Sequence, residues 1–353
     1  MNDDNHVANL QCPVVGMTDV DCVMLAHGEG GLMMRRLIRE RIRSQLPSFA
    51  NDLGDAADVG RIDGSVAIST DSYVVSPICF PGGDIGSMAV YGTVNDLAVV
   101  GAEPLWLTLS LIMEEGLPLA LLDQVIRSVA KAALLCRVSI VAGDTKVVPR
   151  GAADGLFINT TGVGRMMSNA PIGPSSIEPG DILIVSGPIG RHGIAVLSAR
   201  ENLGFTPNPR SDSAPVHRAT AALQSVLGVD LRAMRDATRG GVSAVLHEWA
   251  EACGCTMKLD EAKIPVTPDV RGTCELLGLD PLYVANEGTF VAVVAERSAQ
   301  QAINVLHSIP QTASAAIIGQ VIESRISPVV IERLLGRLLA VEEPAGAPMP
   351  WIC

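Results

Sequence analysis

The chain has 353 residues, of which 48% are hydrophobic and only 3% aromatic. At about 100 to 200 residues per domain, this length predicts two domains whose cores are small aliphatic residues, which suits sheets covered by helices. A net charge of -12 argues against a large nucleic-acid surface, and eight cysteines without CxxC spacing argue against a disulfide framework or structural zinc.

The first half of the chain predicts one α/β domain over residues 26–168, preceded by an irregular leader over residues 1–25. Hydrophobic spacing predicts helices at 31–45, 84–101 and 119–135, and strands at 65–70, 105–112, 138–142 and 156–163. Asp84 is expected to cap the second of these helices.

Turn-rich sequence at 165–181 predicts the boundary to a second α/β domain over residues 178–340. Its predicted strands lie at 182–185, 290–294 and 315–322, and its predicted helices at 193–201, 215–227 and 240–252. Residues 341–353 contain three prolines and no core pattern, which predicts a flexible, extended tail. The predicted fold class is therefore α/β (α+β), with two domains and a C-terminal tail.

The N-terminus is acidic, unlike the start of a secretory signal. The most apolar stretch, residues 97–113, is interrupted by polar residues and is short for a membrane span. We therefore expect a cytoplasmic protein with neither a membrane nor a nucleic acid as its partner.

Four acidic residues, Asp71, Asp96, Asp144 and Asp236, follow or end predicted elements in apolar or glycine-rich surroundings. Any one of them alone could be a helix cap or an ion-pair partner. Together they favour a magnesium-nucleotide site, in which hard oxygen ligands bridge the cation and the phosphates. The sequence contains neither a P-loop nor a GxGxxG motif, so the nucleotide site must be built differently.

Three further features could complete such a site. Lys146 stands in a Gly-Asp-Thr-Lys setting and is the best candidate for a catalytic cation among the four lysines. Glu287 precedes an apolar strand and could point into a cleft, although a solvated turn carboxylate is the alternative. Residues 27–31 are glycine-rich and precede a helix, so their amides could hold phosphate oxygens, unless they form a plain flexible turn.

Cys353 is the last residue of the chain and fits no lipidation motif. An accidental frayed terminus is one interpretation. A thiol on a mobile tail is also what covalent transfer between sites requires, because a thiolate is a strong nucleophile. Fully extended from Pro344, the tail would reach on the order of 30 Å.

Seven short blocks resemble, in order, the motifs of the HypE family of hydrogenase maturation proteins. They lie at 26–31, 69–73, 81–86, 95–97, 143–148, 236–241 and 285–288. The wider superfamily includes aminoimidazole ribonucleotide synthetase and selenophosphate synthetase. The resemblance, which covers about residues 26–353, implies a two-domain synthetase-like fold and an ATP-dependent homodimer. In such a homodimer the N-terminal domains of the two copies would form a sheet barrel, and the nucleotide would lie against a sheet at the subunit interface.

The resemblance also implies an activity, that of a carbamoyl dehydratase. The carbamoyltransferase HypF would load a carbamoyl group onto the terminal thiol, and ATP would then activate the amide oxygen as a leaving group. The resulting thiocyanate would supply a cyano ligand to iron on a complex of HypC and HypD, for a nickel-iron hydrogenase.

In that family, the matching positions imply catalytic roles for Cys353, Lys146 and Glu287. ATP and Mg²⁺ would be the cofactors. The implied nucleotide-binding residues are His27, Gly28, Gly30, Gly31, Asp71, Asn95, Asp96, Asp144, Thr145 and Asp236. The implied Mg²⁺ ligands are Asp71, Asp96 and Asp236.

The chain departs from the family pattern at both ends. The family tail usually reads Pro-Arg-Ile-Cys, whereas this chain ends Pro350-Trp351-Ile352-Cys353, so an indole replaces a cation beside the thiol. The leader extends beyond the usual family start.

Two alternatives stay open at this point. A selenophosphate synthetase would carry a reactive Cys or selenocysteine beside a Lys in the glycine-rich segment, and residues 27–31 have neither. A non-catalytic scaffold would use the terminal thiol to bind a partner or metal, and ATP hydrolysis that depends on Lys146 or Asp71 would count against it.

Overall fold

The computed structural model describes residues 21–46 and 56–343. The first domain begins with a short helix α1 (Leu32–Arg36), which continues through a π-helical stretch to Ile42 and a 3₁₀ turn to Gln45. Its remaining elements are β1 (Val66–Tyr73), β2 (Cys79–Phe80), β3 (Gly83–Asp84), α2 (Ile85–Val99), β4 (Ala102–Glu114), α3 (Leu119–Cys136), β5 (Ser139–Val148) and β6 (Leu156–Met166). The predicted alternation of helices and strands in this domain is confirmed.

A four-stranded sheet in the order β1-β6-β4-β5 organises this domain. Strands β4 and β5 are parallel, and the other neighbours are antiparallel. Helices α2 and α3 pack against one face of the sheet, where Leu109, Leu111 and Val125 belong to the same core. The opposite face is open in the single chain, and Ile68 on it is 69% exposed. A partly apolar open face of this kind marks a surface that another molecule can cover.

Helix α2 begins as the sequence predicts. The Asp84 side chain accepts a hydrogen bond from Ser87 N at 2.9 Å, which satisfies one of the free amides at the helix start. The helix is apolar on nearly all sides, and Met88 and Val94 on it are fully buried. A helix with this composition must be covered on every side, and α2 accordingly lies between the first sheet and the second domain.

The second domain follows a linker that contains a 3₁₀ turn at Pro174–Ser176. Its elements are β7 (Ile182–Val185), α4 (Arg191–Arg200), α5 (His217–Leu227), β8 (Leu231–Asp236), α6 (Gly241–Cys253), β9 (Thr256–Asp260), α7 (Pro268–Leu277), β10 (Phe290–Val294), α8 (Ala299–His307), β11 (Ala316–Ile322), β12 (Val329–Arg333) and β13 (Arg337–Ala340). Seven strands form one sheet in the order β13-β12-β9-β11-β7-β10-β8. Helix α6 packs on one face, while α5 and α8 pack on the other.

One predicted strand boundary is wrong in a way that matters for the site. The strand expected at 138–142 continues to Val148, so the segment from Gly143 to Lys146 lies within β5 rather than after it. Gly143 and Asp144 suggested that the strand ends before them. Strand β5 nevertheless stays paired with β4 as far as the pair Glu114 and Val148. The β-branched residues after Lys146 favour this continuation.

The start of the predicted tail is held against the second domain. Val341 N donates to Val329 O at 3.0 Å, and Tyr283 Oη donates to Glu342 O at 2.9 Å. The rest of the tail, including Cys353, and the first twenty residues of the leader lie outside the described residues. None of the helices described here has the length and apolar character that would let it cross a membrane.

Candidate active site

A cavity of about 210 Å³ opens where the two domains meet. The end of β1, the middle of α2, the end of β8 and the turn before β10 form its walls. The lining residues are Asp71, Ser72, Tyr73, Gly92, Asp96, Arg235, Asp236, Thr238, Arg239 and Glu287. The structure thus brings together four of the acidic residues that the sequence singled out, although more than 200 positions separate the first from the last. This group is called the acidic cavity below.

Asp71 and Asp96 form one side of the acidic cavity. Ser69 Oγ donates to Asp96 Oδ2 at 2.5 Å, and Tyr73 Oη donates to Asp71 Oδ2 at 3.2 Å. Burial raises the pKa of Asp96 to about 6, and the nearby negative charge of Asp71 adds to the rise. Asp96 therefore favours a state in which it holds a proton or has a cation beside it.

Asp236 and Glu287 form the opposite side. Asp236 ends β8 and lies across from Phe290, so the strand pairing fixes its position. Burial raises its pKa to about 7, with a further contribution from the charge of Asp96. Glu287 is only 3% exposed, and burial, followed by the charge of Asp236, raises its pKa well above its usual range. Four carboxyl groups this close destabilise one another unless positive charge reaches them.

Two arginines line the acidic cavity, but they do not neutralise it. Arg235 forms an ion pair with Glu248, and it only partly offsets the rise in the pKa of Asp96 and Asp236. Arg239 lies in the loop after β8. The sequence did not mark Arg235 as a site residue, because it belongs to no recognisable motif. It lines the acidic cavity because it lies near the end of β8.

The position of Glu287 depends on a residue that sequence reasoning missed. Asp212, in the loop before α5, accepts hydrogen bonds from Glu287 N at 3.2 Å, Gly288 N at 3.1 Å and Thr289 Oγ1 at 2.9 Å. A Cβ on Gly288 would lie 1.9 Å from Asp212 O, so only glycine permits this approach. The Asp212 loop therefore fixes the backbone on which Glu287 is carried.

Asn286 and Asn95 hydrogen-bond to the backbone around the turn that carries Glu287. Asn286 Oδ1 accepts from Gly190 N at 2.7 Å, and its Nδ2 donates to Ala237 O at 2.8 Å. Asn95, which is 1% exposed, accepts from Val216 N at 2.8 Å. Both amides thus bind backbone groups, and the nucleotide contact expected for Asn95 stays a prediction.

The glycine-rich segment lies beside β5. His27 is buried, its Nδ1 accepts from Met24 N at 2.9 Å, and burial lowers its pKa. A Cβ on Gly28 would lie 3.0 Å from Val147 Cβ, so the segment packs closely on this strand. Gly30 and Gly31 are exposed, with no atom within 4 Å of a Cβ at either position. Their amides are accessible, and their predicted phosphate contact stays a prediction.

Lys146 and Asp144 lie apart from the acidic cavity within one chain. Lys146 Nζ is 3.5 Å from Asp144 Oδ2, and both side chains are more than half exposed. Register pairs Ser72 with Asn159, and Ser110 with both Asn159 and Asp144, so these residues share the open face of the sheet.

Asp71, in contrast, is adjacent to Ser72 in β1 and therefore lies on the helix-covered face. Strand β1 and strand β5 are the two edges of the sheet, separated by three strand spacings or about 14 Å. Thr145 is buried on the covered side, and its Oγ1 has no hydrogen-bond partner among the described residues. One chain alone does not bring Lys146 to the acidic cavity.

The carboxylates of the acidic cavity could bind Mg²⁺ only if water or a phosphate-bearing ligand supplied the remaining oxygen ligands. Within residues 21–46 and 56–343, no group of three His, Cys, Asp or Glu side chains is arranged to hold a metal ion. Mg²⁺ commonly binds one or two carboxylates together with water and substrate phosphates, and it prefers hard oxygen ligands. Asp71, Asp96 and Asp236 supply such oxygens, and their mutual repulsion favours a cation. The residues therefore fit a cation that enters with a phosphate-bearing ligand.

Comparison with known families defines the class of protein. Residues 54–166 match the family "AIR synthase related protein, N-terminal domain", and residues 178–331 match its C-terminal domain. The two matches cover most of the chain and follow the two domains described above. The chain therefore belongs to the AIR synthase related proteins, and the predicted synthetase-like fold is confirmed.

Individual relatives narrow the assignment. The carbamoyl dehydratase HypE of Escherichia coli K12 is 45% identical over 340 residues, which covers 94% of this chain and 99% of the relative. A crystal structure of the hydrogenase maturation protein HypE in complex with ATP matches with a TM-score of 0.86 and 42% identity, covering 94% and 99% of the two chains. A chain from a crystal structure of a HypE-HypF complex matches with a TM-score of 0.77 and 44% identity, covering 79% and 90%. The chain belongs to the HypE family of carbamoyl dehydratases, as the seven motif blocks predict.

Proposed function

We propose that this chain dehydrates a carbamoyl group carried on the Cys353 thiol, using ATP, and so makes a thiocyanate that supplies cyanide ligands to nickel-iron hydrogenase. The observation that carries the proposal is the acidic cavity, where four carboxyl groups meet without a lysine in a chain that ends in cysteine. Relatives named carbamoyl dehydratase and a relative bound to ATP support it.

The chemistry needs an activated oxygen and a base. The amide oxygen of the thiocarbamate attacks the γ-phosphorus of ATP, and ADP leaves. The phosphorylated oxygen then departs as phosphate while two protons leave the nitrogen, and a carbon-nitrogen triple bond forms. Mg²⁺, when bound, would neutralise the charge on the phosphates beside Asp71, Asp96 and Asp236.

Glu287 is the proposed base for the nitrogen protons. Its burial makes its carboxylate a stronger base than an exposed glutamate, because the charged form lacks hydration. The clamp by Asp212 holds it in place. The glycine-rich segment at 27–31, together with Asn95, Asp144 and Thr145, is proposed to contact the nucleotide.

A homodimer is part of the proposal, because Lys146 must reach the acidic cavity from elsewhere. The open face of the first sheet carries Ile68, which is 69% exposed, and Val66, which is 46% exposed. Packing two such faces together would bury these apolar side chains and close the sheets into a barrel. Lys146 of one copy is then proposed to orient the amide in the other copy.

The partners proposed from the family are HypF as carbamoyl donor and a complex of HypC and HypD as acceptor of the cyano group. Support for the first is the HypE-HypF complex among the related structures. The start of the tail is fixed through Val341 and Glu342, which leaves ten residues beyond Glu343 to carry the thiol between proteins.

Intact-protein mass spectrometry after incubation with HypF, carbamoyl phosphate and ATP tests this function. The wild-type chain should carry a cyano adduct. An Asp236→Asn variant should accumulate the carbamoyl adduct, which is heavier by one water. Cys353→Ala should carry neither adduct yet bind ATP as wild type does, whereas Cys253→Ala, which removes a half-buried thiol, should behave like wild type. An adduct on a different cysteine, or none with an active donor, would refute the proposal.

A further inference from the structure

A second cavity, of about 350 Å³, lies on another part of the junction between the domains. The end of α3 and the start of β4 line it from the first domain, and α5 lines it from the second. None of the residues that form the acidic cavity takes part. The proposed dehydration uses no group in this second cavity.

The polar wall of this cavity is basic. Arg137 lies at the C-terminal cap of α3, and Arg218 lies in the first turn of α5. Among the described residues, neither guanidinium group has a carboxylate within ion-pair distance. Glu103 is the single acidic residue in the wall, and it is already paired with Arg165 at 2.5 Å. On a chain of net charge -12, two uncompensated arginines at one cavity form a local positive field.

His217 lines the same cavity and is affected by the charges of both arginines. Its Nδ1 is buried and lacks a hydrogen-bond partner among the described residues. Burial, and then the charges of Arg218 and Arg137, lowers the pKa of His217 to about 4. Burial raises the pKa of the neighbouring Cys136 thiol to about 12, and the charge of Arg218 only partly offsets that rise.

We propose that this cavity binds phosphate, free or as a small phosphate monoester, through the guanidinium groups of Arg137 and Arg218, with His217 in the wall beside them. Guanidinium groups present paired donors that match phosphate oxygens, which makes arginine the preferred residue for this contact. Leu105 and Met167 supply apolar walls for a small organic group on the phosphate. Because Arg137 belongs to the first domain and Arg218 to the second, the bound anion bridges the two domains and should stabilise their contact.

Nuclear magnetic resonance of the full chain labelled with ¹⁵N-histidine tests this site directly. Inorganic phosphate is added in the absence of nucleotide, and the ring signals of His217 are identified by their loss in His217→Asn. Phosphate should shift those signals with saturation in the millimolar range or tighter. Arg137→Gln and Arg218→Gln should each weaken the apparent affinity about tenfold, because each removes one charge-assisted contact.

Matched variants separate this site from the acidic cavity. Arg271→Gln changes an arginine on α7 outside the cavity and should leave the His217 titration unchanged. Binding of ATP, measured separately, should be the same in wild type, Arg137→Gln and Arg218→Gln. The proposal is overturned if phosphate leaves the His217 signals in place, or if both cavity variants titrate like wild type. It is also overturned if a peptide of residues 344–353 shifts His217 while phosphate does not.

Discussion

Replacing Asp236 with asparagine should make the protein more stable in the absence of Mg²⁺ and nucleotide. Asp236 is half-buried beside Asp96, and its pKa rises from 3.8 to about 7. A rise of about three units corresponds to about 4 kcal/mol of unfavourable free energy when the carboxylate is fully charged. Asparagine has the same shape without the charge, so up to this amount should be recovered.

The raised pKa of Asp236 also predicts how the free energy of unfolding changes with pH. A carboxyl group with a raised pKa binds more protons in the folded state than in the unfolded state, so stability falls as pH rises. For Asp236 the loss begins above the unfolded value of about 3.9 and is complete above the folded value of about 7. Wild type should therefore lose stability between pH 5 and pH 8, and Asp236→Asn should lose less.

Thermal unfolding at pH 5 and pH 8 measures both effects. At pH 8 the variant should melt several degrees above wild type, since 1 kcal/mol corresponds to about 2–4 °C for domains of this size. Asp63→Asn, at a side chain that is 88% exposed, is the matched control and should melt like wild type. Mg²⁺ with ATP should raise the melting temperature of wild type far more than that of Asp236→Asn. A variant that melts below wild type at pH 8 without ligand would show that the cluster is not repulsive.

Three further outcomes test the geometry of the site. Gly92→Ala places a Cβ 2.2 Å from a tyrosine hydroxyl and should cost about 1–3 kcal/mol in urea unfolding. Gly272→Ala, inside helix α7 with open space around it, should instead be neutral or stabilise by up to about 1 kcal/mol. Asp212→Asn should lower kcat at least tenfold with little change in KM for ATP, because the clamp on Glu287 loses its charged acceptor; an unchanged kcat would contradict the clamp. Lys146→Ala and Glu287→Gln should each be inactive alone, yet an equal mixture should recover about a quarter of wild-type activity if each site takes its lysine from the second copy. No recovery after subunit exchange would assign both residues to one chain.

Much of the fold could be predicted because local signals agree with the final structure. The apolar runs at Ile182–Val185 and Phe290–Val294 are strands with the predicted bounds, since all but Ile182 are buried in the second sheet. Asp84 caps α2 as predicted. The short strands β9, β12 and β13 were not predicted, because they owe their stability to neighbours in the domain rather than to their own periodicity. Helices α7 and α8 were also missed, although Ala299, Ala302, Ile303 and Leu306 recur at helical spacing on the buried face of α8.

The site was predictable in its residue types but not in its arrangement. Acidic residues in apolar surroundings marked Asp71, Asp96 and Asp236, and the structure places all three around one cavity. Asp212 carried no such signal, because it lies in a loop without periodicity and contacts a turn 75 residues away. The face on which Lys146 lies could not be known either, because it depends on the register of a strand that was expected to end four residues earlier.

The separation of Lys146 from the acidic cavity has a consequence for how the protein behaves at low concentration. Asp71 and Lys146 lie on opposite faces and near opposite edges of one sheet, so a solitary chain holds two incomplete halves of the proposed site. If a second copy supplies Lys146, as proposed, turnover per molecule should fall on dilution, as copies separate, while every chain stays folded. The concentration of the protein would then itself limit its activity, before any regulator acts on it.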